Sequence, residues 1–326
     1  MDISIIIVNY RGWQALEKCL KSIETIVPKS SFEIIIVDNF SNDGQFPAFK
    51  EKYPTFKFVE NSCNNGFSNG CNFGASLANG NYLLFLNPDT KLTLGALETL
   101  LQTAISHPEI GILSCLQINE NNIFYNQNNL FPLLGRFFGI SRAISRKLNK
   151  INLQKRFNTQ EELFYPDWVT GAVIFISRDW FNKINGWNED YWLYFEDIDI
   201  CKKTATAGGK IAVTRKATIF HQHGGASRLN IKTKALTKTE VIISKHAYIS
   251  NQFSSGTKLY LHSLVILGIL LETISFSILS LFLFFIPKLQ VYRHILKNLI
   301  AYYFNAIQKG TWISPRAMNY LKQKHI

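Results

Sequence analysis

Cysteine pairs are missing from this sequence. Its five cysteines are an odd number, lie far apart and never occur as C-x-x-C, which excludes a zinc ribbon and a disulfide framework as the basis of the fold. A reducing, cytosolic setting is therefore expected. A cleavable leader is missing as well, because Met1 and Asp2 run straight into an apolar segment with no basic region before it. We predict a first core strand there and no export.

Acidic residues are scarce relative to basic ones, with 23 Asp and Glu against 35 Lys and Arg and a formal net charge of +12 over 326 residues. Such a surplus attracts polyanions, which include nucleic acid, an anionic membrane surface and phosphorylated molecules. The basic residues are not interleaved with a nucleic-acid-binding motif, so nucleic acid is not an expected partner. The apolar fraction of 47% suffices for a large core and excludes a disordered chain.

The glycine patterns of dinucleotide-binding folds and P-loops are missing too. The chain instead carries Gly66, Gly70 and Gly74 at intervals of four, which on a helix places all three on one face. Each glycine costs about 1 kcal/mol against alanine inside a helix, so the spacing indicates a close approach by a ligand or by a neighbouring backbone. Packing of the helix is the simpler alternative.

Short, nearly continuous apolar runs predict the strands of a parallel sheet that is covered on both faces. In chain order these runs are Ile3–Val8, Phe32–Val37, Phe56–Val59, Tyr82–Leu86 and Ile110–Cys115. The spacing of apolar residues from Trp13 to Ile23 predicts a helix between the first two strands. The pattern indicates an open α/β sheet, and such sheets bind ligands beyond the carboxyl ends of their strands.

Polar clusters follow three of these strands directly. They are Asn9-Tyr10-Arg11, Asp38-Asn39-Phe40-Ser41-Asn42-Asp43 and Asn87-Pro88-Asp89. Turns need such residues but need not converge on one crevice, so the coincidence favours a ligand site. The third cluster has two interpretations. Either Asp89 or Thr90 caps a helix over Leu92–Thr103, or a divalent cation and a phosphate meet there.

The middle of the chain is less regular. Residues 119–166 are rich in Asn and then basic, which predicts a loop or mobile insertion whose charges are a solvated face or a contact with a phosphate-bearing molecule. Asp167–Ile176 returns to strand character, and its Thr170-Gly171-Ala172 lets a ligand approach the backbone.

Acidic residues gather in Tyr194–Cys201, the predicted start of a helix that reaches about Ala207. Three acids suit the positive end of the helix dipole, at about 0.3–1 kcal/mol each, so capping is one explanation. Asp197 and Asp199, however, lie about 200° apart around a helix and cannot both serve the same cap. One of them is therefore left for chemistry.

Two histidines follow two further predicted strands, Lys210–Val213 and Ala217–Phe220. His221 and His223 lie in a glycine-rich turn after the second strand. They are either structural or in contact with a metal or phosphate.

Ordered motifs thus run from Ile3 to Ser227. They are Ile6-Ile7-Val8-Asn9-Tyr10, Val37-Asp38-Asn39 with Ser41 and Asp43, Asn65-Gly66-Phe67, Asn72-Phe73-Gly74, Leu86-Asn87-Pro88-Asp89, Thr170-Gly171-Ala172, Glu196-Asp197-Ile198-Asp199, and His221 with Gly224 and Ser227. Together they resemble family 2 glycosyltransferases of the GT-A fold, most closely the rhamnosyltransferase-like branch. The resemblance implies an α/β fold of the GT-A type, an open mixed sheet that is largely parallel and flanked by helices, followed by a C-terminal hydrophobic helical segment.

The implied domains are a catalytic domain at 1–230 and a helical, membrane-associating region at 231–326. Within the first, 1–118 would be the nucleotide-sugar-binding half and 119–230 the acceptor-binding and catalytic half. The implied donor is a dTDP- or UDP-linked sugar, with Asp38 in contact with its base or ribose. The other residues implied on the donor side are Asn9, Tyr10, Arg11, Asn65, Gly66, Asn72 and Asn87.

A divalent metal, Mg²⁺ or Mn²⁺, is implied as well, with Asp89 as a ligand bridged to the diphosphate. The family motif is D-x-D, and its first Asp is Asn87 here. Because an amide is a weaker and neutral ligand, we expect Asn87 to position phosphate or ribose instead. His221 matches the family's metal-side histidine by its H-x-x-G spacing, and His223 is the competing candidate.

The implied catalytic base is Asp197, which would take the proton from an attacking hydroxyl while charge on the departing diphosphate is stabilised. With one base and no second carboxylate poised as a nucleophile, a single displacement that inverts the anomeric carbon is expected. Glu196 and Thr170-Gly171-Ala172 would contact the acceptor.

These implications predict an inverting, metal-dependent glycosyltransferase that moves a sugar, with rhamnose suggested by the branch, to a hydroxyl of a glycan or lipid-linked acceptor in cell-surface polysaccharide biosynthesis. The alternative is a catalytically weak nucleotide-sugar-binding or scaffold subunit of a membrane polysaccharide assembly complex. The presence of Asp89, Asp197 and His221 together favours the enzyme. Donor, acceptor and oligomeric state stay open.

The C-terminal region is predicted to meet a membrane. Leu264–Ile286 is apolar and long enough for about 20 residues of spanning helix, but Glu272 within it would cost about 2.5–3.5 kcal/mol near a bilayer centre. Three interpretations of this segment are open. It is a monotopic helix or shallow hairpin on the membrane surface, a helix that spans the membrane, or a helix buried in the protein or in an oligomer contact. Flanking Lys and Arg fit an anionic surface, so we expect a cytoplasmic protein, peripheral or monotopic on the inner face of the plasma membrane.

Overall fold

A computed structural model describes residues 1–25, 30–93, 95–132, 144–145, 147–148, 150–157, 161–222 and 230–323. The chain divides into two compact units. The sheet unit comprises Met1–Asn64, Gly70–Asn188 and Glu196–His223, and the helical unit comprises Asn65–Asn69, Glu189–Phe195 and Gly224–Ile326. Two short segments of the predicted catalytic domain therefore belong to the helical unit.

Strands and helices alternate through the first half of the chain. The strands are β1 (Ile3–Asn9), β2 (Phe32–Asp38), β3 (Lys57–Glu60), β4 (Tyr82–Leu86), β5 (Thr90–Lys91), β6 (Ile110–Ile118), β7 (Leu163–Phe164), β8 (Val173–Ser177) and β9 (Lys210–His221). The helices are α1 (Trp13–Glu24), α2 (Phe46–Lys52), α3 (Phe67–Ser76), α4 (Ala96–Ser106), α5 (Lys150–Phe157), α6 (Arg178–Lys183), α7 (Glu196–Thr206), α8 (Ile231–Gln252), α9 (Ser255–Phe282), α10 (Pro287–Lys309) and α11 (Met318–Gln323).

The described strands form a mixed sheet in the order β3-β2-β1-β4-β8-β6-β9-β5, with β7 also paired to β9. Parallel pairs join β1 to β2 and β4, β2 to β3, and β6 to β9. Antiparallel pairs join β8 to β4 and β6, and β9 to β5 and β7. All seven residues of β1 are buried, which is why its sequence is almost continuously apolar. The predicted open mixed sheet flanked by helices is confirmed.

The carboxyl ends of the parallel strands meet at one edge. Asn9, the last residue of β1, is in register with Asp38, the last residue of β2. On the other side of β1, Ile6 is in register with Phe85 of β4. Since parallel strands end at the same edge of a sheet, the polar clusters that follow β1, β2 and β4 converge there.

The predicted helix over Leu92–Thr103 is wrong at its start. The chain after β4 instead enters β5, where Thr90 pairs with His221 of β9, and α4 begins only after Gly95, which has φ 78°. The hydroxyl of Thr90 donates to the carbonyl of Asn87 at 2.7 Å and closes the turn. Asp89 therefore lies between two strands and does not cap a helix.

The two short strands predicted at Lys210–Val213 and Ala217–Phe220 are one strand, β9. Its pairing with β6 shifts in register between Cys115, opposite Thr214, and Leu116, opposite Thr218. The extra residues form a bulge, which re-aims the end of a strand. This is the end that carries His221.

Two of the three spaced glycines are explained by packing of α3 on the sheet. A Cβ at Gly70 would lie 2.7 Å from a methyl carbon of Val8, and one at Gly74 would lie 2.5 Å from a methyl carbon of Ile6. Gly66 precedes the helix with φ +98°, so the prediction that all three share a helix face is wrong. Its backbone conformation is one that only glycine adopts readily.

Only part of the predicted insertion at 119–166 can be described, because residues 133–143 lie outside the described residues, as do 146, 149 and 158–160. The described part contains α5 and β7. Arg156 of α5 donates to the carbonyl of Tyr165 at 2.7 Å and to the carboxylate of Asp167 at 2.8 Å. This end of the insertion is therefore fastened to the sheet unit.

The helical unit has its own apolar core, in which Val291, Ile295 and Leu299 of α10 pack against Ala235 and Ile243 of α8. A buried polar cluster lies beside it. His246 and His262 share a hydrogen bond between their Nδ1 atoms at 2.8 Å, and both rings stack on Trp312, with centroids 4.9 and 4.3 Å away.

Burial disfavours the charged forms of this pair. It lowers the pKa of His246 well below its ordinary value and that of His262 to about 4, helped by the nearby charges of Lys245 and Lys258. The unfolded chain therefore binds more protons than the folded one between about pH 6.5 and pH 4. We expect the helical unit to lose stability as pH falls through this range, and the slope to be shallower for the His262→Gln variant, as measured by thermal unfolding. Equal slopes in both proteins would contradict this expectation.

Candidate active site

Asp38 is the buried centre of the first polar cluster. Its Oδ2 accepts from the backbone N–H of Ser41 at 2.8 Å, and its Oδ1 accepts from the Ser41 hydroxyl and from the amide of Asn9 at 3.3 Å. Burial raises the pKa of Asp38, although these hydrogen bonds act in the opposite direction. The carboxylate, which is 0% exposed, is thus fixed in one orientation at the end of β2.

Arg11 and Tyr10 form the rim of this cluster. Arg11 has a left-handed backbone with φ 54°, and its N–H and Nε donate to the hydroxyl and carbonyl of Ser41 at 2.8 and 3.0 Å. Its guanidinium lies 5.3 Å from the centre of the Tyr10 ring, and Tyr10 is 42% exposed. Tyr10 thus presents a partly open aromatic ring beside the guanidinium of Arg11, which is itself hydrogen-bonded to Ser41.

Asn9 has a different place from the one expected. It is fully buried, and its Oδ1 accepts from the N–H of Gly12 at 3.1 Å while its amide donates to Asp38. Both ends of the side chain are used inside the protein. Asn9 positions Asp38 and lines no open surface.

Asp89 and His221 form a pair at the junction of β5 and β9. The two side chains approach to 3.3 Å between Oδ1 and Nε2, and the N–H of Gln222 donates to the carbonyl of Asp89 at 2.9 Å. His221 is only 4% exposed. The two strands thus hold a carboxylate and an imidazole against each other.

Gln117 of β6 orients the imidazole. Its Nε2 donates to the hydroxyl of Thr170 at 3.1 Å, so its Oε1 faces His221 Nδ1, 2.8 Å away. Nδ1 must then carry the proton, and Nε2 points at Asp89 with either a second proton or a lone pair. A divalent cation can take the place of that second proton, and the glutamine is the outer partner that metal-bound histidines need.

These two side chains fit a hard divalent cation that retains open coordination positions. Among the described residues there is no cluster of three or more Cys, His, Asp or Glu with metal-binding geometry. Mg²⁺ in phosphate sites is commonly held by one or two carboxylates together with phosphate oxygens and water, the part that Asp89 can supply. The competing ligand His223 lies outside the described residues.

Asp197 lies in the first turn of α7 and is partly open to solvent. Its Oδ1 accepts from the N–H of Ile198 at 2.9 Å, and its Oδ2 accepts from the N–H of Gly171 at 3.3 Å. Removal from water raises the pKa of Asp197 to about 6, although these hydrogen bonds act in the opposite direction. It is thus a stronger base than an ordinary aspartate and is still mostly ionised at neutral pH.

The neighbouring acids are less accessible. Glu196 and Asp199 are 7% and 1% exposed, and within the described part of the chain no group pairs with Glu196 Oε2. Burial, with the nearby charge of Asp197, holds the pKa of Glu196 well above its ordinary value. The structure gives no support to Glu196 as an acceptor contact, and Asp197 is the acid of this turn that solvent reaches.

Thr170-Gly171-Ala172 connects the Asp89–His221 pair, Asp197 and the turn after β4. The Thr170 hydroxyl contacts Gln117, the Gly171 N–H contacts Asp197, and the Ala172 carbonyl accepts from the N–H of Asn87 at 3.0 Å. Three successive contacts of 2.8, 3.1 and 3.3 Å therefore lead from His221 to this segment and on to Asp197. The Asn87 side chain makes no hydrogen bond to any described residue.

Three other residues predicted on the donor side, Asn72, Asn65 and Gly66, make structural contacts of their own. Both ends of the Asn72 amide bond to the backbone of Trp187 at 2.9 Å, so Asn72 fastens a loop. Asn65 and Gly66 belong to the helical unit, where a Cβ on Gly66 would lie 2.5 Å from the carbonyl oxygen of Trp192. The glycine thus serves a close approach between two backbones.

Gln117 is the residue of this site that sequence reasoning missed. It looked like part of a core strand, and the available signal was a glutamine inside the apolar run of β6. A buried amide in such a run needs a polar partner, and that partner is His221.

Comparisons with known proteins identify the family of this chain. A family-wide sequence model described as "Glycosyl transferase family 2" matches residues 4–184, and one described as "N-terminal domain of galactosyltransferase" matches residues 156–223. The chain is 23% identical over 232 residues to the N-acetylglucosaminyl-diphospho-decaprenol L-rhamnosyltransferase of Mycobacterium tuberculosis, covering 67% of this chain and 75% of the relative. It is 27% identical over 135 residues to rhamnosyltransferase WbbL of Escherichia coli, covering 41% and 49%.

A solved structure shares the fold. The crystal structure of GalNAc-T7 with UDP, GalNAc and Mn²⁺ superposes with a TM-score of 0.53 at 17% sequence identity, over 76% of this chain. The chain spans about half of that structure, 50% of its length. The GT-A fold predicted from the sequence is thereby confirmed.

Proposed function

Since this chain belongs to glycosyl transferase family 2, in its rhamnosyltransferase-like branch, we propose that it inverts the anomeric carbon of a sugar as it moves that sugar from a nucleotide diphosphate to a hydroxyl of a glycan or lipid-linked acceptor. The observation that carries the proposal is the set of contacts from His221 through Gln117 and Thr170-Gly171 to Asp197. These contacts connect the Asp89–His221 pair, which is suited to a metal-bound diphosphate, with Asp197, whose carboxylate is suited to act as a base.

The donor would bind at the edge formed by β1, β2 and β4. Asp38 can accept a hydrogen bond from a ribose hydroxyl or a base N–H, and the exposed ring of Tyr10 offers a face on which a base can stack. dTDP- and UDP-linked sugars are the proposed donors, with rhamnose suggested by the names of the relatives.

Asp89 and His221 would hold Mg²⁺ or Mn²⁺ in this proposal. A divalent cation bound there would neutralise the negative charge of the diphosphate leaving group. Asn87, whose amide is not engaged by any described side chain, would donate to a phosphate or to ribose. The proposed catalytic domain is 1–230, and 231–326 is the proposed membrane-associating region.

Asp197 would accept the proton of the acceptor hydroxyl as that oxygen attacks the anomeric carbon. Its raised pKa increases its basicity, and its backbone hydrogen bonds fix its direction. The Thr170-Gly171-Ala172 backbone, which already contacts this carboxylate, would border the acceptor. Glu196 is buried, and burial holds its pKa well above its ordinary value, so it would not compete as a nucleophile.

The membrane is the proposed location of the reaction. A relative is named for a decaprenol-linked acceptor, and within the described residues α9 is the one helix long and apolar enough to cross a bilayer. We place the protein on the cytoplasmic face, in cell-surface polysaccharide assembly.

A panel of UDP-, dTDP- and GDP-sugars tests the proposed reaction. We expect one nucleotide class to bind and to be slowly hydrolysed, with affinity at least about 10-fold higher in Mn²⁺ or Mg²⁺ than in a chelator, because the two protein ligands leave coordination positions for the diphosphate. Isothermal titration calorimetry and released nucleotide report the two quantities.

Matched variants separate the donor site from general charge effects. Asp38→Asn should weaken nucleotide binding, whereas Glu51→Gln, at an exposed site of α2, should leave it unchanged. No response to any nucleotide sugar would favour a scaffold subunit over an enzyme.

A further inference from the structure

An apolar face, interrupted by the exposed Ser263, runs along α9. Its members are Tyr260, Leu267, Leu271, Ile274, Ile278 and Leu281. They are between 42% and 60% exposed, and at 100° per residue they fall within an arc of about 80° over a length of about 30 Å. We call these six residues the outer stripe. A soluble surface rarely leaves so long a line of large apolar side chains uncovered.

The outer stripe continues into the connection between α9 and α10. Phe282, Phe284 and Phe285 are 73%, 70% and 68% exposed. Phe282 is the last residue of α9 and the other two phenylalanines follow it, and no charged residue lies between Thr273 and Pro287. The exposed apolar surface therefore ends in an aromatic tip.

The opposite side of α9 is bound to α10 through polar contacts. Arg293 donates to the hydroxyl and the carbonyl of Ser280 at 2.6 and 2.9 Å, and the hydroxyl of Tyr292 lies 3.3 Å from the carboxylate of Glu272. Both Ser280 and Glu272 lie more than 120° around the helix from the centre of the outer stripe. Arg293 and Glu272 thus lie behind the apolar face.

This arrangement distinguishes two ways of meeting a bilayer. If α9 crossed the membrane, it would carry Glu272 into the hydrocarbon and α10 would bring Arg293 with it, and charged groups are strongly disfavoured there. If α9 lies parallel to the membrane, only the outer stripe and the aromatic tip enter the hydrocarbon, and the charges stay at the level of the headgroups. Amphipathic interfacial helices are built in this way.

The charges identify the kind of surface. Residues 255–309 contain five Lys and Arg and a single acidic residue, Glu272. Two copies of this chain that paired through the outer stripe would bring two cationic helix pairs together, whereas anionic headgroups would neutralise them. The charge distribution therefore favours lipid over a second copy as the occupant of this face.

We propose that α9 lies flat in one leaflet of an anionic bilayer, with the outer stripe and the aromatic tip in the hydrocarbon and α10 behind it. The proposal rests on the proposed function in that a lipid-linked acceptor requires the enzyme at a membrane. It adds which residues enter the lipid and excludes a crossing by α9.

Vesicle binding by the full chain tests the proposal. We expect sedimentation with vesicles of phosphatidylglycerol and phosphatidylethanolamine, and at least about 10-fold weaker binding for the double variant Leu271→Gln, Ile278→Gln. The matched control is Ile105→Gln, Ile123→Gln, which changes two apolar residues of the sheet unit that are 53% and 60% exposed and should bind as the unchanged chain does. Equal binding by both double variants would overturn the proposal.

Cysteine labelling distinguishes the orientations. In a Cys63→Ser background, where the remaining cysteines are buried, vesicles should protect an Ile278→Cys variant from a water-soluble maleimide and leave a Glu272→Cys variant reactive. Protection of both positions by vesicles indicates a crossing helix and refutes the proposal. Protection of Ile278→Cys without vesicles indicates a second copy and refutes it as well.

A lipid-free assay keeps this test independent of the proposed function. The Leu271→Gln, Ile278→Gln variant should hydrolyse the nucleotide sugar at the rate of the unchanged chain, which also shows that it is folded. Normal vesicle binding without hydrolysis in the unchanged chain would instead count against the proposed reaction alone.

Discussion

Replacing Asp197 with Asn is expected to lower the turnover number for sugar transfer by about 10²–10⁴-fold, the usual contribution of a general base. Asparagine keeps the shape of the side chain and one of its two oxygen acceptors but cannot take a proton. Because Asp197 makes no contact with Asp38, Asp89 or His221 among its hydrogen bonds, the affinity for the nucleotide sugar should stay within about twofold. Initial rates at saturating donor and acceptor, with calorimetry for the donor, measure both quantities.

The pH profile provides a second readout. The base works only when ionised, so the rate of the unchanged chain should rise with pH through about 6, the pKa of Asp197, and the residual rate of the variant should lack this step. The unfolded carboxyl group ionises near its ordinary pKa of 3.8, so the folded chain loses stability relative to the unfolded one as pH rises from about 4 to 6. The unfolding temperature of Asp197→Asn should therefore fall less between pH 4 and pH 6 than that of the unchanged chain.

A matched control is available in α6. Asp179 also lies in the first turn of a helix, but it is exposed and has no contact with the site residues. Asp179→Asn should transfer sugar at the rate of the unchanged chain. If Asp197→Asn retained more than about a tenth of the turnover number, Asp197 could not be the base.

Much of the sheet was predictable because its strands are local features of the sequence. Tyr82–Leu86 was predicted at its observed bounds, and Ile3–Asn9 and Phe32–Asp38 each extend one residue past the predicted run. Continuous burial on two faces of the sheet produces uninterrupted apolar runs, which are readable without tertiary information. The order of the strands and the antiparallel insertion of β8 between β4 and β6 depend on contacts between distant segments.

The predictions that were wrong concern features that depend on contacts between distant segments of the chain. Thr90–Lys91 is too short to be recognised as a strand, and it becomes one only because His221 and Phe220 of β9 lie beside it. The bulge in β9 interrupts its apolar pattern, so one strand was read as two. In both places pairing across the sheet overrides the local pattern.

The sequence was enough to predict which residues belong to the candidate site, but not which of them face a ligand and which hold other parts of the protein in place. Asp38, Asp89, Asp197 and His221 were named from their motifs, and the structure places all four in the sheet unit. Asn9 and Asn72 looked equally suited to a ligand, yet their amides are used by the protein itself. A motif shows that a polar group is needed, and only the fold shows whether its partner is inside the protein.

Replacing Asp89 with Ala is expected to lower transfer by at least about 10²-fold and to remove its dependence on Mn²⁺ or Mg²⁺. The mutation removes the carboxylate that faces His221 at 3.3 Å and leaves one protein group at the proposed metal site. The loss of a group that stabilises charge in a transition state commonly costs about 10²–10³-fold. Rates across a Mn²⁺ titration, with paramagnetic resonance of Mn²⁺ in the presence of nucleoside diphosphate, measure activity and metal binding separately.

The control for this variant lies two residues away. Asn87→Ala removes a neutral amide from the same turn. It keeps both backbone hydrogen bonds of residue 87, in which the N–H donates to the carbonyl of Ala172 and the carbonyl accepts from the hydroxyl of Thr90. We therefore expect the transfer rate to fall about 10-fold with its metal dependence preserved. The two variants should differ in their metal dependence and not only in rate, because a carboxylate can bind a hard cation whereas an amide mainly donates to phosphate. If Asp89→Ala kept its response to Mn²⁺ while Asn87→Ala lost it, the metal would be held by the other end of the turn and the proposed roles of the two residues would be exchanged.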